Sequence, residues 1–381
     1  MTSPYAAKAA DAITAGHRHE SRVTARPLEG APFPLEVEGT DLSITFDESW
    51  SPYAQTSLGC IIPSTANLDR LDPRRLCRIE IEAGYTYPDG TSEIRPLANV
   101  GLKSRNVSRP NNTMQLEAES DESFAQDYVW TSEVDMSGLF PQTGINDAVN
   151  WVLGHALPNA YVFGWMFASE WGEGAWASTA AEFYPTAGTE LWSVLASIAD
   201  ATNSRIYCDA DRVWRIRKIP EYSATPQHSL TVGENGTILS SDSSLSRDGW
   251  FNAASIRYKW DFSDTNKGTE WGYATINSGP FAIGTVGRKL WSQTVDGRRA
   301  TKAVLNSMAA KKLKKLISRG RSLEIEAIAA YWLRPGDTIR VTLPTGDPEL
   351  HLIERITFRP LVGLMDITTR QPFDVEITTG E

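Results

Sequence analysis

Alternation of apolar and polar positions dominates both ends of this chain. Near the start, Leu35 and Val37, then Leu42, Ile44 and Phe46, flank Gly39-Thr40-Asp41, which predicts two short strands and a turn. Residues 77–87 alternate again through Ile79 and Ile81, and Pro88-Asp89-Gly90 supplies a hairpin signal. Strand-like runs follow at 97–107 and 113–118. Short strands at this spacing predict a small barrel or sandwich. The other end reads the same way. Residues 323–329 alternate, and Thr338, Ile339, Arg340 and Val341 lead toward Leu350, His351, Leu352 and Ile353. Ahead of them, Pro335-Gly336 is a type II turn signal: proline presets φ, and glycine supplies the positive φ of the next position.

Between the ends the period changes. Ile145, Ala148, Val149, Val152 and Leu153 have helical spacing over 145–157. Leu191, Val194, Leu195, Ile198 and Ala199 share one face over 189–202. Residues 205–209 and 212–219 then predict a hairpin across Asp209-Ala210-Asp211, so this stretch forms a compact α+β unit. Strand character returns at 256–260 and 272–276, with polar, turn-prone sequence at 240–249. A long helix is expected over 298–318, with Leu305, Met308, Ala309, Leu313, Leu316 and Ile317 as its apolar arc. Lys312 falls inside that arc and has to snorkel out of it. Gly320 suits the C-terminal stop.

A faint echo links the two ends. Arg109-Pro110 is followed by Met114-Gln115-Leu116, and Arg359-Pro360 by Met365-Asp366-Ile367, one residue out of step. Coincidence accounts for it, and so do two related β-domains, one at each end of the chain.

Composition and charge narrow the function classes. The chain has 381 residues, 41% hydrophobic and 22% charged, which suits a globular protein of several domains rather than a disordered tail. Its net charge of −10 opposes specific nucleic-acid binding and attraction to anionic membrane. No apolar run reaches membrane-spanning length, so no stable membrane insertion is expected. The first twenty residues lack the basic leader and apolar core of a secretory signal. Cys60, Cys77 and Cys208 have no paired spacing and read as buried, reduced thiols. His17 and His19 alternate on a terminus expected to be mobile, with no further ligand at metal spacing. Nucleophile-elbow and phosphate-loop motifs are missing, so no catalytic residue, cofactor or metal is expected. The basic run Lys311-Lys312-Leu313-Lys314-Lys315, with Arg319 and Arg321, reads as a solvated or intersubunit face.

Several of these pieces occur in an order that resembles a known family. The helix around 189–199 leads into Arg205-Ile206-Tyr207-Cys208-Asp209 and Arg212-Val213-Trp214-Arg215-Ile216. Ser243-Ser244-Leu245-Ser246-Arg247-Asp248 leads into Phe251-Asn252 and a strand, and Leu333-Arg334-Pro335-Gly336-Asp337 follows the long helix. Together they resemble the tail hub, or minor tail, proteins of tailed bacteriophages and their baseplate-hub relatives, over roughly residues 25 to 375. The resemblance implies an α+β, mainly β chain, with two small antiparallel β-barrel domains flanking and joined by α+β segments. The expected division is an N-terminal arm (1–24), a first, tube-type barrel (25–130) and an α+β domain (131–230). A mixed β region with the long helix follows (231–322), then the closing part of a second barrel (323–381), completed by strands from 231–262.

The resemblance further implies a structural, non-enzymatic protein of the virion tail tip, made in the host cytoplasm. Such hubs are homotrimers whose paired barrels match a sixfold tube to a threefold tip. The implied partners are its own copies, a distal tail ring protein, a tape-measure protein and tail-tip fibre or receptor-binding proteins. The acidic balance suits a lumen through which DNA slides. One segment stands outside the pattern: Trp165, Trp171 and Trp176 lie close to Glu170 and Glu173. Aromatic residues stack on sugars and paired carboxylates cleave glycosides, so a tail-tip glycan binder or cell-wall hydrolase is the competing reading. The plain reading of the same residues is a packed core or a subunit contact.

Overall fold

The structure is a computed structural model. It describes residues 5, 9–10, 13, 16–131, 140–141, 144–157, 166–169, 183–202, 204–218, 223–263, 265–296, 300–318, 321–371 and 375–380. The chain is α+β and mainly β.

The N-terminal half contributes β1 (Arg18–Arg26), β2 (Phe33–Pro34), β3 (Val37–Asp47), β4 (Ala54–Ile61), β5 (Arg78–Thr86), β6 (Ser92–Ser108) and β7 (Thr113–Glu119). Next come helix Ile145–Ala156, β8 (Met166–Ser169), helix Leu191–Thr202, β9 (Ser204–Cys208) and β10 (Val213–Lys218). β11 (His228–Thr231) and β12 (Ile238–Leu245) precede β13 (Ala253–Ser263), β14 (Asn266–Thr275) and β15 (Leu290–Asp296). After helix Lys302–Ser318 come β16 (Arg321–Ile328), β17 (Thr338–Thr342), β18 (Glu349–Arg359), β19 (Leu364–Arg370) and β20 (Thr378–Thr379).

The two ends of the chain share one strand order. In the N-terminal half the path runs β3-β4-β7-β6-β5-β1; in the C-terminal half it runs β12-β16-β19-β18-β17-β11. Numbered along the chain, with the two-residue β2 and the strands of the separate sheet left out, both read second, third, sixth, fifth, fourth, first. In each half the first strand is also linked to the segment that leads into the second. Phe33 pairs with Ala25 of β1 immediately before the chain enters β3, and Thr237 N–H donates to Thr231 O between β12 and β11. One direction differs: β1 lies antiparallel to β5, whereas β11 lies parallel to β17. The expected all-antiparallel character therefore fails at β11.

The halves agree residue by residue at the β6–β7 and β18–β19 hairpins. Ser108 faces Thr113 and Arg359 faces Leu364 at the mouths of the two turns. Val107–Met114 and Phe358–Met365 come next, then Asn106–Gln115 and Thr357–Asp366, then Arg105–Leu116 and Ile356–Ile367. Both long strands carry an irregularity at the same offset, between Leu102 and Ser104 and between Ile353 and Arg355. Met114-Gln115-Leu116 thus sits in the register of Met365-Asp366-Ile367, and it is the Arg-Pro pairs that are out of step. The Arg334-Pro335-Gly336-Asp337 turn is formed as its sequence requires, with Asp337 N–H bonded to Arg334 O at 3.1 Å and Gly336 at φ 92°. Its counterpart in the first half, just before β5, is Leu76 at φ 58°.

β3 and β18 join the two halves. Thr45 faces Thr357 and Phe46 faces Ile356, antiparallel, so a single sheet passes from one half into the other. Apolar residues from both halves accordingly share one core. A second core packs helices Ile145–Ala156 and Leu191–Thr202 on β9 and β10. A third packs helix Lys302–Ser318 on a separate sheet, β15-β13-β14-β20. There the helix lies directly on Gly272, where an added Cβ would run into the backbone of Leu305. Lys312 leaves the helix's apolar arc as expected and places its Nζ 4.5 Å above the Trp291 ring.

Several local expectations change. Gly39-Thr40-Asp41 is an irregular stretch inside the continuous β3, not a turn between strands. The polar run 240–249 begins as strand β12, because pairing with β16 outweighs its turn propensity. Of the strands in 231–262, β12 joins the C-terminal sheet, but β13 belongs to the separate sheet under the long helix. Strand β1 starts at Arg18, within the expected arm of residues 1–24, and pairs along all of β5. The two histidines here are packed: His19 Nδ1 lies 2.9 Å from the Tyr331 hydroxyl, and the ring of His17, just before β1, lies edge-on to Tyr85.

Buried charges fasten the units where β3 ends. Glu48 N–H bonds to Glu354 O at 2.9 Å, extending the β3–β18 pairing by one step. The Glu48 carboxylate meets Arg370 of β19 at 3.2 Å, Lys315 of the long helix at 3.3 Å and Arg205 of β9 at 3.7 Å. Burial alone would raise that carboxyl, but the three cations overcome it and hold it below its ordinary value. Nearby, Asp121 pairs with Arg78 at 2.6 Å and Arg212 at 3.1 Å. Glu122 accepts from the backbone N–H groups of Tyr53 and Cys208. Among the described residues no cation pairs with Glu122, and burial pushes its carboxyl up to about 7.

Two expected outcomes follow from this junction. Glu48→Ala leaves three cations facing an empty buried site and should lower stability by about 3–5 kcal/mol, read from urea denaturation at pH 7. The Glu48 contribution is present above the ordinary glutamate range and lost as pH falls through its depressed native value, so acid should narrow the gap between variant and wild type. Glu122 has the opposite sign. Its native value is raised, so its ionisation subtracts stability as pH rises from about 4.5 to about 7. Glu122→Gln should remove that decline, and urea midpoints taken every half pH unit would show the flattening.

Candidate functional site

The surface that spans both halves is the polar face of eight consecutive strands, β12-β16-β19-β18-β3-β4-β7-β6. Strand alternation builds it: one side chain in two points at the shared core and the next points away. In β3, Leu42, Ile44 and Phe46 are buried, whereas Ser43 and Thr45 lie on the open face. In β19, Met365 and Ile367 are buried, whereas Asp366 and Thr368 lie on the open face.

A single cross-strand row traverses this face. It passes from Ser240 to Glu326, Asp366, Thr357, Thr45, Gln55 and Glu119 without a break in register. The seam sits in the middle of the row, where the Thr45 and Thr357 hydroxyls are 2.9 Å apart. Polar contacts brace the row from both sides. Arg359 bonds Glu326 and Asp366, Arg355 donates to the Thr368 hydroxyl at 3.1 Å, and Gln115 Nε2 donates to the Ser57 hydroxyl at 2.9 Å. Lys103 bonds Glu119, and the Ser104 hydroxyl donates to Glu117.

Where the face crosses the seam it is concave. An open cavity of about 460 Å³ is lined there by Thr45, Trp50, Asp242, Glu324, Arg355 and Asp366, among others. Acidic side chains exceed basic ones over the whole face: Glu117, Glu119, Asp242, Glu324, Glu326 and Asp366 against Lys103, Arg355 and Arg359. Such a surface holds water and repels polyanions.

Trp165, Trp171 and Trp176, the interaction residues expected from sequence, lie outside the described residues, as do Glu170 and Glu173. Within that segment only the backbone of β8 is described, pairing parallel with β10 from Met166–Val213 to Ser169–Ile216. All three cysteines are buried and unpaired, and burial pushes the thiols up, Cys60 to about 12 and Cys77 to about 11. Among the described residues no group of acidic, histidine or cysteine side chains is arranged to hold a metal ion. No described helix is long and apolar enough to cross a membrane.

Sequence reasoning missed the face itself. Its signal was present as the polar half of each alternating run, but which strands lie side by side is a property of the pairing. The Met114 and Met365 echo was the one local trace of it.

No protein-family model matches this chain, and no curated protein matches it. Solved structures do. The tail protein from Neisseria meningitidis MC58 superposes with a TM-score of 0.63 at 15% identity, covering 92% of this chain and 96% of that one. The 43 kDa tail protein of prophage MuSo2 from Shewanella oneidensis gives 0.55 at 13% identity, covering 92% and 98%. The prophage tail protein gp18 from Listeria monocytogenes EGD-e gives 0.54 at 9% identity, covering 92% and 94%. The fold of this chain, over nearly its whole length, is the fold of these phage and prophage tail proteins.

Proposed function

We propose that this protein is a structural component of a phage or prophage tail, and within it the trimeric hub at the tail tip. The observation that carries this reading is the repeat: two halves of one chain with the same strand order and hairpin register, joined through β3 and β18. In this reading each half is a small barrel and works as one unit of a ring. Three chains then offer six nearly equivalent units to a sixfold tube and three identical chains to a threefold tip. A closed ring repeats one patch per subunit, so duplication within the chain is a physical route to matching the two symmetries.

The eight-strand polar face becomes the wall of the lumen. Its excess of carboxylates keeps DNA from sticking while it passes. The α+β unit, and the separate sheet with the long helix, lie off the duplicated strands. They are left to meet the distal ring protein, the tape-measure protein and the tip fibres or receptor-binding proteins. The chain has no catalytic role in this reading, and its place is the virion tail tip.

The test combines mass with activity. Light scattering on the purified chain should give the mass of a trimer, and incubation with host cell wall should release no reducing sugar. A monomer that releases sugar would overturn the hub and favour the wall hydrolase.

A further inference from the structure

The seam inside the chain has a matching pair of edges that no strand pairs among the described residues. β3 and β18 are the second and fifth strands of their halves. The strands in the same positions, with the halves exchanged, are β12 and β6. β5 covers β6 only as far as the bond from Leu102 N–H to Cys77 O, the counterpart of Ile353 N–H to Asp337 O. Beyond it, among the described residues, no strand pairs with residues 104–108 on the side away from β7. β12 is likewise an outer strand, paired with β16 on one side.

Register fixes which residues correspond. Leu116 and Ile367 hold the same hairpin position, and they face Leu58 and Ile325 respectively. Leu58 faces Leu42, and Ile325 faces Ser241. Counting on from those pairs, Leu245 stands where Phe46 stands, and Ser244 where Thr45 stands. Phe46 is fully buried against Phe358 and the seam, yet Leu245 is 78% exposed. A leucine on the core-facing side of an outer strand, at the position of a buried phenylalanine, marks a missing neighbour.

We propose that β12 of one copy pairs antiparallel with residues 104–108 of β6 in a second copy, Asn106 opposite Ser244 and Arg105 opposite Leu245. This transfers the Thr357–Thr45 and Ile356–Phe46 pairs of the internal seam to the contact between chains. Each copy offers one edge of each kind, so the contact is head to tail and closes only as a ring. The number of copies rests on the trimeric reading above; the choice of edges rests on the register alone. The polar row of one chain then runs on into the next, with Ser244 and Asn106 on the open face.

The test is a paired-cysteine variant of the full chain, Asn106→Cys/Ser244→Cys. The hydroxyls at the corresponding internal positions are 2.9 Å apart, which puts cysteines there within disulfide reach. The native thiols are buried and give little background. Mild oxidation should yield a reducible ladder ending at the covalent trimer, absent from either single variant and from Gln115→Cys/Ser244→Cys, whose first cysteine lies one strand further in. Leu245→Asp should weaken association roughly tenfold or more without lowering the melting temperature of the separated chain. A chain that is trimeric by light scattering, yet neither cross-links nor responds to Leu245→Asp, would overturn the edge assignment and leave the hub reading standing. A chain that is monomeric by light scattering would overturn both.

Discussion

The pairing of β3 with β18 is the constraint on which the rest of the structure depends. Only a short stretch of ladder, from Ile44–Phe358 to Asp47–Arg355, makes one sheet out of two ends of the chain. The chain leaves the first half near residue 120 and enters the second at β11, and two excursions, roughly residues 120 to 227 and 246 to 320, have to be made without disturbing that register. Glu48, the next residue along, reinforces the point of return. Its carboxylate gathers a cation from β9, one from the long helix and one from β19. A buried carboxylate so surrounded does more to specify one arrangement of the units than to add net stability, because desolvation offsets much of the attraction.

The seam also explains how one surface can be polar across eight strands while one core lies beneath it. Side-chain direction alternates along every strand, so a shift of one residue at β3–β18 would turn polar positions of one half toward the core of the other. The shared core, with Phe46 against Phe358 and Tyr85 bonded to Ala329 O, penalises that slip. The Thr45–Thr357 contact on the open side follows from the same register. Interior packing and surface continuity are thus two consequences of one alignment.

Much of this was legible locally. The alternating runs, the Pro88-Asp89-Gly90 hairpin, the Pro335-Gly336 turn and the two central helices all form where their residues call for them. The long helix carries its apolar arc as expected, and Lys312 escapes it over Trp291. Two of the failures share a cause. Polar 240–245 reads as turn but is strand, because β16 supplies the ladder. Gly39-Thr40-Asp41 reads as turn but is absorbed into β3. His17 and His19 read as a loose end but are packed beside Tyr85 and Tyr331, from distant parts of the chain. For β12 and the histidines a partner remote in sequence outweighed the local preference, whereas Gly39-Thr40-Asp41 is carried as an irregularity between the paired residues Val37 and Leu42.

The duplication divides sequence from structure most sharply. By itself the sequence determined the class of the chain, the position of most elements, the direction each side chain faces and a charge that repels polyanions, since all of these depend on residue type and local period. It carried only a trace of the repeat, Met114-Gln115-Leu116 and Met365-Asp366-Ile367. A glycine and a leucine can serve the same positive-φ corner, as Gly336 and Leu76 do, so similarity of role leaves little similarity of letters. Tertiary structure alone decided that the two ends share a strand order, that they join through β3 and β18, and that β12 and β6 are left with matching edges. Those are statements about which backbones exchange hydrogen bonds, and any residue except proline can supply the donor and acceptor.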